Sequence, residues 1–225
     1  MNSPIIKCIS LCKYYTSRDK TTKAVDDVNL EINKNEIVLL KWRSGAGKST
    51  LMNLMCGLDR PTQGEVLIEN EYIGRLSNQS LSRLLLKKIG IIFQNFNLLP
   101  TYTVYENIEI ALEPSANDRE KNERIILPLL EQLELADKVN SLPSELSMGQ
   151  QQKVAIVRTL AKQPSIIFAD EPTGSVDDET AKEIIQHLLY LKNVHNVTLV
   201  VSTHGSALDS FAERILFMNK GKIIN

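Results

Sequence analysis

Long apolar runs are missing from this chain of 225 residues. The longest, such as Ile37 to Leu40, fall far short of the roughly 18–20 apolar residues that carry a helix across a bilayer, which excludes a membrane-spanning segment. Cysteine is scarce too. Cys8, Cys12 and Cys56 are too few and too irregularly spaced for a disulfide framework or a zinc site, so a reducing cytosol is the natural compartment. The N-terminus lacks a signal-peptide pattern. Neither sign of charge dominates: the formal net charge is -1, and a general nucleic-acid binder needs an excess of Lys and Arg to neutralise phosphates. Glycine occurs 10 times, where average usage of about 7% would give roughly 16. What remains is 43% hydrophobic and 24% charged. That composition fits one globular unit of one large domain or two small lobes, long enough to bury roughly 70–75% of its unfolded surface.

Charge is unevenly spread. Between Asn95 and Glu145 there are ten acidic and four basic side chains, so this stretch is either a solvated acidic face or a surface for a partner. No repeat, low-complexity run or long linker divides the chain. Strand-length β-branched segments recur at Ile5 to Leu11, Val28 to Ile32, Ile37 to Lys41, Glu65 to Glu69, Ile89 to Phe93, Ile166 to Ala169, Val197 to Ser202 and Arg214 to Met218. Helical patterns separate several of them, as at Ala181, Ile184, Ile185, Leu188 and Leu191. That alternation predicts an α/β fold with a mainly parallel sheet. Tyr102 to Leu160 holds helical patterns and no convincing strand, which reads as an inserted helical subdomain. Pro128 is expected to start or interrupt a helix there, and Pro164 to cap off the helix that ends near Lys162.

Three stretches carry chemistry. After the strand ending at Lys41 comes Trp42-Arg43-Ser44-Gly45-Ala46-Gly47-Lys48-Ser49-Thr50 and then an apolar helix. Apart from its first residue this is the phosphate-binding pattern G-x-x-x-x-G-K-[ST]. Small residues let successive backbone N–H groups face one anion, and the helix N-terminus adds a favourable dipole. Lys48 would neutralise the β- and γ-phosphates and Ser49 would reach Mg²⁺. A chance surface turn is the competing reading, and the flanking strand and helix weigh against it. The second stretch, Ile166 to Glu171, is an apolar strand ending in two carboxylates: Asp170 suits the metal's shell and Glu171 a general base. The third is Leu146-Ser147-Met148-Gly149-Gln150.

Along the chain the phosphate loop, Gln94 after a strand, the Leu146–Gln150 stretch, the Asp170-Glu171 strand and His204 follow one another, and in that order they resemble the ABC-type ATPases over nearly the whole chain. The resemblance implies a RecA-like P-loop core with an antiparallel β subdomain and an inserted α-helical subdomain, the core being 1–94 and 161–225 and the helical part about 95–160. It also implies ATP and Mg²⁺ as cofactors. Tyr15 matches the aromatic that stacks on adenine, with Tyr14 a close competitor. Gln94 matches a residue reaching Mg²⁺ or the attacking water. Ser147, Gly149 and Gln150 match a signature that closes on ATP held by a second copy. Ser175-Val176-Asp177 matches the loop between the two sites of the dimer, and His204 the histidine at the γ-phosphate. His187 and His195, the latter placed in a polar turn, have no such context.

The surrounding residues, including Pro143-Ser144-Glu145-Leu146 and Phe168-Ala169-Asp170-Glu171-Pro172-Thr173-Gly174-Ser175, are similar to a branch holding lipoprotein-releasing, macrolide- and peptide-exporting and cell-division ATPases. This implies a peripheral subunit on the cytoplasmic face of the inner membrane, paired with an integral-membrane permease that the acidic helical part grips through residues such as Glu109 and Glu113. The chain's end soon after Ile224 leaves no room for a C-terminal regulatory domain. A weakly hydrolysing regulatory partner and a soluble ABC ATPase are the alternatives. Two residues depart from the pattern: Trp42 stands at the first glycine of the phosphate loop and Met148 at the first glycine of the signature. If the first position needs positive φ or close backbone packing, Trp42 strains it. Trp42 is then tolerated with reduced efficiency, marks a loss of binding, or is an introduced change. Met148 is expected to point away from the signature's contacts. Gly205 follows His204 where an aspartate is common.

Overall fold

The computed structural model describes residues 4–17, 20–42, 47–112, 119–174 and 176–224. Two sheets account for its strands. In the first, β1 (Ile6–Ser17) pairs antiparallel with β2 (Lys20–Ile32) and β4 (Gln63–Ile68), and β4 with the short β5 (Glu71–Tyr72), giving the order β2-β1-β4-β5. The second has six strands in the order β10-β9-β3-β8-β7-β6. Here β3 (Ile37–Trp42), β6 (Ile89–Ile92), β7 (Ile166–Asp170), β8 (Thr198–Ser202) and β9 (Arg214–Asn219) run parallel, and β10 (Lys222–Ile224) returns antiparallel.

Period-2 alternation explains why these strands read as nearly continuous apolar runs. Ile37 and Leu39 enter one hydrophobic cluster, Val38 and Leu40 the other. Likewise Ile167 and Ala169 face opposite to Phe168, and Leu199 and Val201 opposite to Val200. A parallel strand covered on both faces has no solvated side to mark with polar residues. One cluster includes α1 (Lys48–Met55) and the inner face of the antiparallel sheet. The other joins the opposite face of the six-stranded sheet to α3 (Val104–Glu109), α4 (Arg119–Gln132), α5 (Met148–Ala161) and α6 (Asp178–His195). The remaining helix, α2 (Asn78–Lys88), starts at Ser77, whose hydroxyl accepts from Ser80 N–H, and leads into β6.

Several expectations need correction. The first two strands are longer than predicted because they pair as one hairpin, from Ile6 opposite Ile32 to Ser17 opposite Lys20, so polar residues beyond the apolar segments stay in the ladder. β5 and β10 were too short to register as hydrophobic patterns. Pro128 neither starts nor interrupts its helix, since α4 runs through it; burial of Ile126 and Leu130 on either side holds the helix together. His195 is the last residue of α6 rather than part of a turn. At Pro164 the expectation agrees with the geometry: α5 ends at Ala161 and Gln163 turns at φ 51 just before the proline.

Candidate active site

Strand order brings the chemistry together. Trp42, Gln94, Asp170 and His204 lie at or just beyond the carboxyl ends of β3, β6, β7 and β8, the edge of an open parallel sheet where backbone polar groups and loop side chains converge. In α1 the first intrahelical bond runs from Leu51 N–H to the Gly47 carbonyl, 2.9 Å. The N–H groups of Lys48, Ser49 and Thr50 precede it, and no acidic side chain occupies the first turn. Gly47 caps the helix at φ 95, and a Cβ there would collide with the Ala24 carbonyl oxygen. Only glycine fits that cradle. Arg43, Ser44, Gly45 and Ala46 lie outside the described residues.

Lys48 is the centre of the site. Its Nζ is 2.9 Å from Asp170 Oδ1 and 2.8 Å from Glu171 Oε1, with the side chain only 10% exposed. The Trp42 ring lies over the same ammonium, 3.9 Å from Nζ to the ring centroid. Ser49 Oγ sits 3.4 Å from Asp170 Oδ2, and His204 Nδ1 3.4 Å from Glu171 Oε2. Glu171 adopts φ 45, a left-handed conformation that costs a non-glycine residue about 1–2 kcal/mol. Its N–H, donating to the Ser202 carbonyl and hydroxyl, holds it there.

The supporting residues were not foreseen. Ser202 is fully buried, accepts from Glu171 N–H and donates to Asp170 Oδ1, so one hydroxyl fixes the Asp170 carboxylate and the Glu171 backbone together. Its only signal in the sequence is a polar residue closing the apolar strand β8. Gly174 lets Glu171 approach: a Cβ there would meet Glu171 Oε2 at 3.1 Å. Trp42 was expected to strain a glycine position. It is instead the terminal residue of β3, opposite Met218, and not among the residues with positive φ.

The signature residues form a second group. Ser147 caps α5 by accepting from Gln150 N–H at 3.2 Å, while Gln150 Oε1 accepts from Ser147 N–H at 2.9 Å. Gly149 is pressed against α6, where a Cβ would lie 2.6 Å from Thr180 Cγ2. Asp177 caps α6 through Glu179 and Thr180 N–H, and the bonds from the Thr180 backbone and hydroxyl hold its carboxyl below the ordinary value. Val176 packs on the core beside it, and Ser175 lies outside the described residues. Met148 projects outward, 53% exposed, as expected. Among the described residues, the hydrogen bonds, ion pairs and ring contact of Lys48 run to Trp42, Asp170 and Glu171 and not to this group.

The remaining candidates lie outside these two groups of contacts. Gln94 is exposed just past β6, next to the Asp170 strand tip. Tyr15 donates to Asp59 and Tyr14 to Asp26. Glu109, read as a grip for a partner, accepts from Asn122 Nδ2 at 3.0 Å, and Glu113 lies outside the described residues.

The donor chemistry fits a nucleotide and its cation: a helix N-terminus without acidic residues and a lysine for phosphates, then a hydroxyl beside a carboxylate for Mg²⁺. The profile of the family described as ABC transporter matches residues 25–174. The chain belongs to the ABC transporter ATP-binding family. ATP and Mg²⁺ are the cofactors of such cassettes. This ABC chain is 40% identical over 223 residues, covering 97% of it and 95% of the relative, to the uncharacterized ABC transporter ATP-binding protein MJ0796 of Methanocaldococcus jannaschii. It is 39% identical to the macrolide export ATP-binding/permease protein MacB of Pasteurella multocida, covering 100% of the chain but 34% of that protein. The dimeric post-hydrolysis structure of the cassette MJ0796, bound to ADP and Pi, superposes with a TM-score of 0.91 at 38% identity, covering 98% of this cassette and 97% of that chain.

Proposed function

We propose that this chain is the ATP-hydrolysing subunit of an ABC transporter, that it closes on ATP with a second copy of itself, and that it powers a membrane permease in export or extraction of a lipoprotein, peptide or drug-like substrate. The observation that carries the reading is the Lys48–Asp170–Glu171–His204 constellation at the strand ends. The dimer of MJ0796 with ADP and Pi supports the pairing, and MacB's name the export class. Lys48 grips the β- and γ-phosphates, and Glu171 takes the proton of the attacking water. Ser49, Asp170 and Gln94 would hold Mg²⁺, whose charge offsets that of the phosphates. His204 steadies Glu171 from its other oxygen. Tyr15, at the end of the first sheet, stacks on adenine. Ser147, Gly149 and Gln150 meet the γ-phosphate bound by the partner copy. In this division residues 1–94 and 161–225 form the core and 95–160 the helical arm.

A groove between α2, β6 and α5, about 420 Å³ and lined by Leu58, Leu85, Ile91, Phe93, Arg158 and Lys162, is the proposed seat of the permease on the cytoplasmic face of the inner membrane. Burial lowers the pKa of both Arg158 and Lys162, and their hydrogen bonds run to backbone carbonyls. An acidic permease segment would offset that desolvation by pairing with the two cations.

Mg-ATP hydrolysis by the purified chain, alone and with its permease, tests the reading against Glu171→Gln. Turnover lost in the variant with nucleotide binding retained supports it, and equal rates overturn it. A weakly hydrolysing regulatory partner is the rival favoured by the Trp42 ring over Lys48; very slow turnover with the permease present would select it.

A further inference from the structure

Lys48 is crowded in a way its chemistry does not require. An ammonium has three donors; one donates to Glu171 Oε1, Asp170 Oδ1 pairs with the charge at 2.9 Å, and an indole face covers the cation at 3.9 Å. The ring half-buries against the core at the end of β3, and Lys48 is shielded from water, the setting in which a cation–π contact is strongest. A cavity of about 480 Å³ lined by Trp42, His204, Phe217 and Met218 borders the ring and leaves it room to turn aside.

We propose that Trp42 is a positioning residue that holds Lys48 against Asp170 and Glu171 in the nucleotide-free chain, and that phosphate binding draws Lys48 out from under the ring. The residue in the first position of the phosphate loop thereby sets nucleotide affinity. This rests on the ATPase reading above. A contact of this class is worth about 3- to 30-fold in affinity. Because the contact is made in the free state and given up on binding, its removal tightens binding.

Trp42 is the single tryptophan of the chain, so its emission reports the contact directly. The intact protein is titrated with ADP and with Mg-ATP while emission is followed, and calorimetry measures affinity for wild type, Trp42→Phe and Trp42→Leu. Expected are a saturable emission change at the calorimetric Kd, and Mg-ATP affinity rising from wild type through Phe to Leu. Lys48→Met should give the free protein an emission near that of nucleotide-saturated wild type. Binding with a silent Trp42, or affinity that is equal in Phe and Leu variants or falls toward Leu, overturns the proposal while leaving the ATPase reading intact. Absence of nucleotide binding in calorimetry overturns both.

Discussion

Glu171 carries strain and charge at one position. Its left-handed backbone is held by Ser202, and its carboxylate spans Lys48 and His204. Strain of this kind persists where the surroundings over-determine it. Glu171→Gln keeps the shape and removes the base, so Mg-ATP turnover should fall at least about 100-fold while Kd for ADP changes little, as single-turnover rates and calorimetry would record. Ser202→Ala strips a hydroxyl from the Asp170 carboxylate and from the Glu171 N–H. It should cost about 1.5–3 kcal/mol in urea unfolding and slow turnover without raising KM for ATP to match; an unchanged unfolding midpoint would count against the assigned hydrogen bonds.

At the scale of elements, the N-termini of α5 and α6 lie so close that a methyl group cannot enter between them. Gly149→Ala should destabilise the chain by about 1–3 kcal/mol. Adding Thr180→Ser, which removes Cγ2 and keeps the hydroxyl on Asp177, should restore most of the loss in a double-mutant cycle. Simple additivity would refute the contact. Pro128→Ala should raise stability by up to about 3 kcal/mol, because α4 continues through a residue that lacks a backbone donor. Strands and helices were legible where an apolar run or a periodic face lasted long enough, as in β3 and α6 respectively. The far halves of β1 and β2 were not, since cross-strand pairing rather than burial keeps residues such as Thr16 and Thr21 in register. α4 shows the converse: a proline is a strong local signal that buried neighbours can outweigh.

Across the whole molecule, acid should act through carboxylates that accept backbone donors. Asp177, with Thr180, and Glu106, with the Thr103 N–H and hydroxyl, both titrate below their ordinary values of 3.8 and 4.5. A depressed folded pKa contributes stability that is present in full above the unfolded value and is lost as pH falls through the folded one. Thermal midpoints should therefore hold from pH 7 to about 5 and drop below about 4, with Asp177→Asn showing a shallower drop; a midpoint insensitive to acid would exclude the linkage. The site's principal groups were legible because phosphate loop, acidic strand end and histidine each occupy one short segment. Ser202 behind Asp170, Gly174 beneath Glu171 and the Trp42 ring over Lys48 were not, because each depends on neighbours supplied by another strand or turn. Strand order adds a consequence in time. β3 and β7 never touch; β8 lies between them, pairing Leu40 with Ser202 on one side and Ser202 with Asp170 on the other. A growing chain on the ribosome thus possesses its lysine and both carboxylates well before it possesses a site, and nucleotide can stabilise the newborn protein only after residue 202 has emerged and slipped between two strands already made.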